Sequence, residues 1–178
     1  MSLAVVLSAA TLSAANIVTN GGFETGDFSG WSLSGNTGFT FVDTNGAYSG
    51  NYSAWFGAVG SDEYLTQVLN TNAGVPYTLS FWLENLGGTP NDFSVSWNGT
   101  VLASMADAGE FGFTEFTFSN LIGTGSDTLQ FAIRDDPNYY VLDSISVDAG
   151  AATPEPATLG LIGVALAGIG LLRKKIRA

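Results

Sequence analysis

The 178-residue chain is long enough for one domain with short appendages, and it is poor in charge, with 12% charged against 46% hydrophobic residues. Residues 1–153 hold fifteen acids and one cation, Arg134, a balance that repels phosphate backbones and excludes nucleic acid as a partner. There is no cysteine and no histidine, which removes thiol nucleophiles, Ser-His-Asp triads, zinc-histidine sites and disulfides together.

Leu3–Leu12 is an apolar run of ten residues, too short to span a bilayer as a helix. Ser13-Ala14-Ala15 follows with the small residues that a signal peptidase needs. The pattern predicts a signal peptide over 1–15, with Asn16 first in the mature chain. A positively charged start is missing, which a start site further upstream would explain; the alternative is a buried N-terminal strand.

From 16 to 150 the sequence predicts one all-β domain. Short alternating runs are separated by Gly, Asn, Asp and Ser. Strands are expected at 38–42, 52–58, 64–69 and 100–104. In PYTLSFWLENL, Tyr77, Leu79, Phe81 and Leu83 share one parity, and Thr78, Ser80, Trp82 and Glu84 the other. Phe93, Val95 and Trp97 alternate with serines, and Phe116 and Phe118 flank Thr117. Leu129, Phe131 and Ile133 alternate with Gln130, Ala132 and Arg134. The last run places Val141, Asp143, Ile145 and Val147 on one face if it is unbroken. One apolar face per strand implies two packed sheets, a β-sandwich.

The outward parities carry the candidate ligand site. Trp82, Glu84, Arg134 and Gln130 project away from the core faces of their strands, and Trp55 lies opposite Tyr52, Ala54 and Phe56. A ring that stacks on sugar C–H faces beside an acid, an amide and a guanidinium is the chemistry of carbohydrate binding. The alternative is that Trp82 and Trp55 pack under a loop, since tryptophan is mostly buried. Tyr139 and Tyr140 either rim such a site or cap the sandwich. Asp43-Thr44-Asn45-Gly46 has the opening of a calcium loop without the rest, and reads as a turn. Fifteen acids make chance pairs inevitable, so acid spacing gives no case for catalysis, and the chain is read as no enzyme.

Asn20-Gly21-Gly22-Phe23-Glu24, Trp31, the Ser49-Gly50 turn, PYTLSFW and Leu142-Asp143-Ser144-Ile145-Ser146-Val147 occur in that order. This series resembles the galactose-binding-like jelly-roll domains, similar to the carbohydrate-binding modules beside glycosidases. The resemblance implies a jelly roll and a structural Ca²⁺ held by Glu24 and Asp143, with carbonyls of Gly22 and the Ser49–Asn51 turn. Residue chemistry agrees in one respect: an inward Asp143 needs a positive partner, and Arg134 lies on an outward parity. The alternative is a bulge that returns Asp143 to solvent.

Residues 151–178 form the third segment. Pro154-Glu155-Pro156 precedes sixteen uncharged residues, 157–172, and then Arg173-Lys174-Lys175-Ile176-Arg177. The apolar run predicts a transmembrane helix, ~24 Å long at ~1.5 Å per residue, with the basic cluster in the cytoplasm. Motif, helix and cluster together resemble the PEP-CTERM sorting signal of Gram-negative bacteria. The resemblance implies processing by an exosortase near Pro154-Glu155-Pro156 and release to the cell surface or an exopolysaccharide matrix. The expected protein is thus an exported, non-catalytic surface or biofilm-matrix protein that binds extracellular polysaccharide. The alternatives are a purely structural matrix protein and a secreted glycan-active enzyme.

Overall fold

Strands that carry one apolar face bury it by forming two sheets and closing them on each other. The computed structural model describes residues 15–136 and 138–150, and every regular element there is a strand. The predicted signal peptide (apart from Ala15), the Pro-Glu-Pro motif, the 157–172 helix and the basic cluster lie outside the described residues.

The strands are β1 Ser32–Gly35, β2 Thr40–Asp43, β3 Ser53–Phe56, β4 Glu63–Leu69 and β5 Pro76–Asn85, then β6 Asn91–Trp97, β7 Thr100–Ala106, β8 Phe111–Ile122, β9 Asp127–Asp135 and β10 Tyr140–Ala149. They form two five-stranded antiparallel sheets, ordered β1-β4-β9-β6-β7 and β2-β3-β10-β5-β8. This is a jelly-roll sandwich. The expected core parities hold: Tyr77, Leu79, Phe81 and Leu83 of β5 meet Phe93, Val95, Leu129, Phe131 and Ile133 of the other sheet in one buried cluster. Phe81 sits at its centre, edge-on to Phe131 with ring centroids 5.2 Å apart.

The Asn20–Glu24 motif is a structural hub. Phe23 is fully buried and stacks on Trp31, whose indole N–H donates to the Asn20 carbonyl at 3.2 Å. Gly21 lies so close to β10 that a β-carbon would come within 2.0 Å of the Ile145 carbonyl oxygen. Ile145 N–H in turn donates to the Gly21 carbonyl at 2.9 Å. Asn16 completes the docking, accepting from Val147 N–H and donating to the Ile145 carbonyl.

β10 is not an unbroken strand. Its register against β5 shifts between Asp143, opposite Trp82, and Ser146, opposite Ser80. Three steps on β10 match two on β5, so the extra residue is a bulge, with Ser144 at φ 52°. The bulge exchanges the faces. Tyr140 and Leu142 join the core before it and Ile145 and Val147 after it. Val141 and Asp143 therefore lie on the outer face, contrary to the single inward parity expected for all four. Both are nevertheless fully buried.

Candidate functional site

The outer face of the β2-β3-β10-β5-β8 sheet carries the aromatic surface. Register places Phe41, Trp55, Val141 and Glu84 in one row across four strands. Phe41 and Trp55 stack nearly parallel, at 10° with centroids 5.9 Å apart, and Tyr139 stands edge-on to both. The Trp55 indole N–H donates to Ser53 Oγ at 3.1 Å, which fixes the ring's direction. Phe41, Trp55 and Tyr139 line a depression of about 180 Å³ with Asp43 and Asn45. Asp43 Oδ1 takes the N–H groups of Thr44 and Asn45 and the Asn45 side-chain amide, as a turn residue does. All of those bonds go to Oδ1, which leaves Oδ2 without a hydrogen bond among the described residues. Three rings, a carboxylate and an amide thus converge on one concave spot.

Trp82 belongs to this sheet but is not a bare platform. Tyr48, from the loop before β3, lies flat on it at 3.8 Å and 13°. Tyr48 is 43% exposed, so the ring that meets solvent there is the tyrosine. Glu84 is partly buried on the same face, and burial together with the nearby Glu110 raises its carboxyl above the usual range.

Arg134 and Gln130 are not part of this surface. Both sit on β9, in the opposite sheet, so the expected grouping of Trp82, Glu84, Trp55, Arg134 and Gln130 is divided between the two outer faces. Parity tells which side of a strand faces out, but not which sheet the strand joins; the jelly-roll connections put β5 and β9 in different layers. The Arg134 guanidinium pairs with Asp136 at 2.8 Å and approaches Asp92 at 3.8 Å. Gln130 donates to Thr66 Oγ1. Beside Arg134 a shallow groove of about 300 Å³ runs between Asp62, Asp92, Ser94, Ser104 and Met105.

Glu24, Gly22 and Asp143 do converge, around the Tyr48–Tyr52 loop. Glu24 accepts the backbone N–H groups of Asn51 and Tyr52 at 2.9 and 3.0 Å, which hold its carboxyl below its ordinary value. Asp143 accepts Ser49 N–H at 3.0 Å and Ser144 N–H at 2.5 Å. A β-carbon on Gly22 would lie 3.6 Å from Asp143 Oδ1 and 3.7 Å from Glu24 Cγ, so this glycine sits between the two acids. Calcium takes about six to eight oxygen ligands. Here the carboxylates face N–H donors, and among the described residues no third Asp, Glu, His or Cys joins them. Burial nevertheless holds Asp143 above the usual carboxylate range despite its amide bonds. Added positive charge at this point would be favourable, which is the respect in which the pair fits a cation.

Five residues escaped the sequence reasoning. Tyr48 and Phe41 carry no parity signal, because one is in a loop and the other in a four-residue strand. Three acids of the buried interior, Glu63, Asp127 and Asp135, were not singled out, although Glu63 shares parity with the buried Leu65 and Leu69.

Comparison with known proteins places both parts of the chain. The PEP-CTERM protein-sorting motif matches residues 152–175, so the chain carries this sorting signal. No curated protein matches it. Among solved structures, TmCBM61 in complex with β-1,4-galactotriose aligns at TM-score 0.65 and 22% identity, covering 77% of this chain and 100% of its own. The CBM22-1 xylan-binding domain of Paenibacillus barcinonensis Xyn10C aligns at TM-score 0.52 and 19% identity, covering 84% and 100%. The K3 cleaved adhesin domain of Lys-gingipain from Porphyromonas gingivalis aligns at 0.56 and 15%, covering 78% and 99%. The domain has the fold of carbohydrate-binding modules; identities this low establish the fold alone.

Proposed function

We propose that the 16–150 domain is a non-catalytic glycan-binding module, exported and sorted through its C-terminal signal to the cell surface or extracellular matrix. The observation that carries the reading is the Phe41-Trp55-Tyr139 depression with Asp43 and Asn45 at its edge. Aromatic faces stack on the apolar C–H faces of a sugar ring, while fixed carboxylate and amide groups pair with its hydroxyls. The open Tyr48-on-Trp82 stack further along the same sheet offers a second stacking platform, so an extended chain is a better ligand than a monosaccharide. With fifteen acids against one cation before the tail, neutral or weakly charged polysaccharide is favoured over anionic.

In this reading an exosortase processes the tail near Pro154-Glu155-Pro156 after the 157–172 helix has served as a transient membrane anchor. Glu24 and Asp143, with the Gly22 carbonyl, would hold one Ca²⁺ that neutralises the acids around the Tyr48–Tyr52 loop, which supports Tyr48. Affinity electrophoresis in gels containing neutral polysaccharides tests the binding: retardation that Trp55→Ala abolishes supports it, and unretarded migration on every neutral polymer and on the producing cell's own matrix rejects it.

A further inference from the structure

Asp127 and Asp135 open and close the same strand, β9, and both are fully buried. Their surroundings differ. Burial pushes Asp127 up, but hydrogen bonds from Thr71, Thr124 N–H, Thr124 Oγ1 and Asn98 outweigh it and bring the carboxyl below its ordinary value. Asp135 has no such partners: neither carboxylate oxygen accepts a hydrogen bond among the described residues. Burial pushes the group up to about 6, outweighing the downward pull of the Asn138 backbone N–H. A buried carboxylate left this way is costly, so it is where a missing positive group would be accommodated.

Asp135 forms part of the lining of a pocket of about 180 Å³, together with Phe39, Gly57, Val59, Asn138 and Tyr139. The aromatic side of that pocket is fixed: a β-carbon on Gly57 would come within 2.5 Å of Tyr139 Cε1, so the ring lies directly on the backbone. Phe39 and Val59, at 54% and 52% exposure, stand at the mouth. The domain has no cation of its own to offer, since Arg134 is held by Asp136 and Asp92. Tyr139 also borders the Phe41-Trp55 depression, so one ring separates the two hollows.

We infer that the Asp135 pocket receives the protonated primary amine of an amino sugar in a glycan lying across Phe41, Trp55 and Tyr139. The inference rests on the glycan reading and narrows its substrate class. An ammonium suits the pocket better than a hard divalent ion. Its N–H groups pair with the carboxylate while Tyr139 and Phe39 supply ring faces, and calcium would find too few oxygens.

The test uses the full chain at pH 6.5 with three tetramers: β-1,4-linked glucosamine, its N-acetylated form, and cellotetraose. The amino tetramer is expected to bind at least tenfold tighter than the other two. Asp135→Asn should bring all three within about twofold, while Asp107→Asn, an equal charge change at an exposed site, keeps the preference. If Asp135→Asn does not fold, Val59→Lys, which tethers an ammonium at the mouth, should abolish the preference instead. Equal wild-type affinities, or a preference that survives Asp135→Asn or Val59→Lys, overturns the inference while leaving glycan binding intact. Should no tetramer bind, n-butylammonium separates the two ideas. A rise in melting midpoint that Asp135→Asn removes keeps the amine pocket apart from these glycans; no rise overturns the amine pocket, and the glycan reading then stands or falls on the gel retardation alone.

Discussion

Tyr48 lies on Trp82 as a lid, with ring centroids 3.8 Å apart and planes 13° from parallel. The contact ties the loop before β3 to the middle of β5, and the same loop donates Ser49 N–H to Asp143, the residue opposite Trp82 across the strands. A stacked aromatic pair adds roughly 0.5–1.5 kcal/mol beyond its buried area. Trp82→Ala should therefore lower stability by about 1–3 kcal/mol in urea unfolding, and Tyr48→Ala by less, because the tyrosine is the more exposed ring. An unchanged midpoint for Trp82→Ala would show that the pair is not formed in solution.

Glu63 gives the domain a predictable response to pH. It is fully buried on β4, accepts Ala58 N–H at 3.2 Å and Thr40 Oγ1, and burial raises it from 4.5 to about 8. Between those values the folded state holds a proton that the unfolded state has lost. Its contribution is therefore fully favourable below about pH 4.5, declines as pH rises, and levels off above about 8, with a slope of at most ~1.4 kcal/mol per unit. Asp135, raised to about 6, acts in the same direction over a narrower window. Glu63→Gln keeps a neutral group on Ala58 and Thr40, so it should melt higher than wild type at pH 8 and about equally at pH 4. Parallel melting curves across that range would contradict this.

Much of the fold was legible because burial in a sandwich follows a period of two. Phe81 and Phe131 were assigned to the core by alternation alone. The divided site was not legible, since alternation is local and the membership of β9 in the other layer depends on jelly-roll connections. The bulge at Asp143–Ser146 turns on one left-handed residue, Ser144, whose sequence has no glycine to announce it. β1 escaped notice because Ser32–Gly35 is a short, exposed edge with a single half-buried side chain, Leu33. Tyr48 and Phe41 reach the surface site through loop geometry and a short strand, which composition does not encode.

Calcium is expected to act on the Glu24–Asp143 junction. A ligand bound only by the folded state adds ~2.7 kcal/mol at a hundredfold excess over its dissociation constant. Melting in calcium should exceed melting in chelator, and Asp143→Asn should erase the difference. Identical wild-type midpoints would mean that the amides of Ser49, Asn51 and Tyr52 hold the junction without a metal.

The tail is expected to be removed during export. Intact mass of extracellular material should correspond to a chain ending near Pro154-Glu155-Pro156, without residues 157–178. A surface-exposed form that retains those residues would contradict processing at the motif.

The central claim is that the aromatic face of the β2-β3-β10-β5-β8 sheet binds glycan, and Trp55 tests it most directly. Binding of wild type, Trp55→Ala and Arg134→Ala to the producing cell's own polysaccharide should be compared at matched melting midpoints. The expected result is at least a tenfold loss for Trp55→Ala and no change for Arg134→Ala, which sits on the opposite face. Undiminished binding by Trp55→Ala, with loss in Arg134→Ala, would move the site to the groove beside Asp92 and contradict the account.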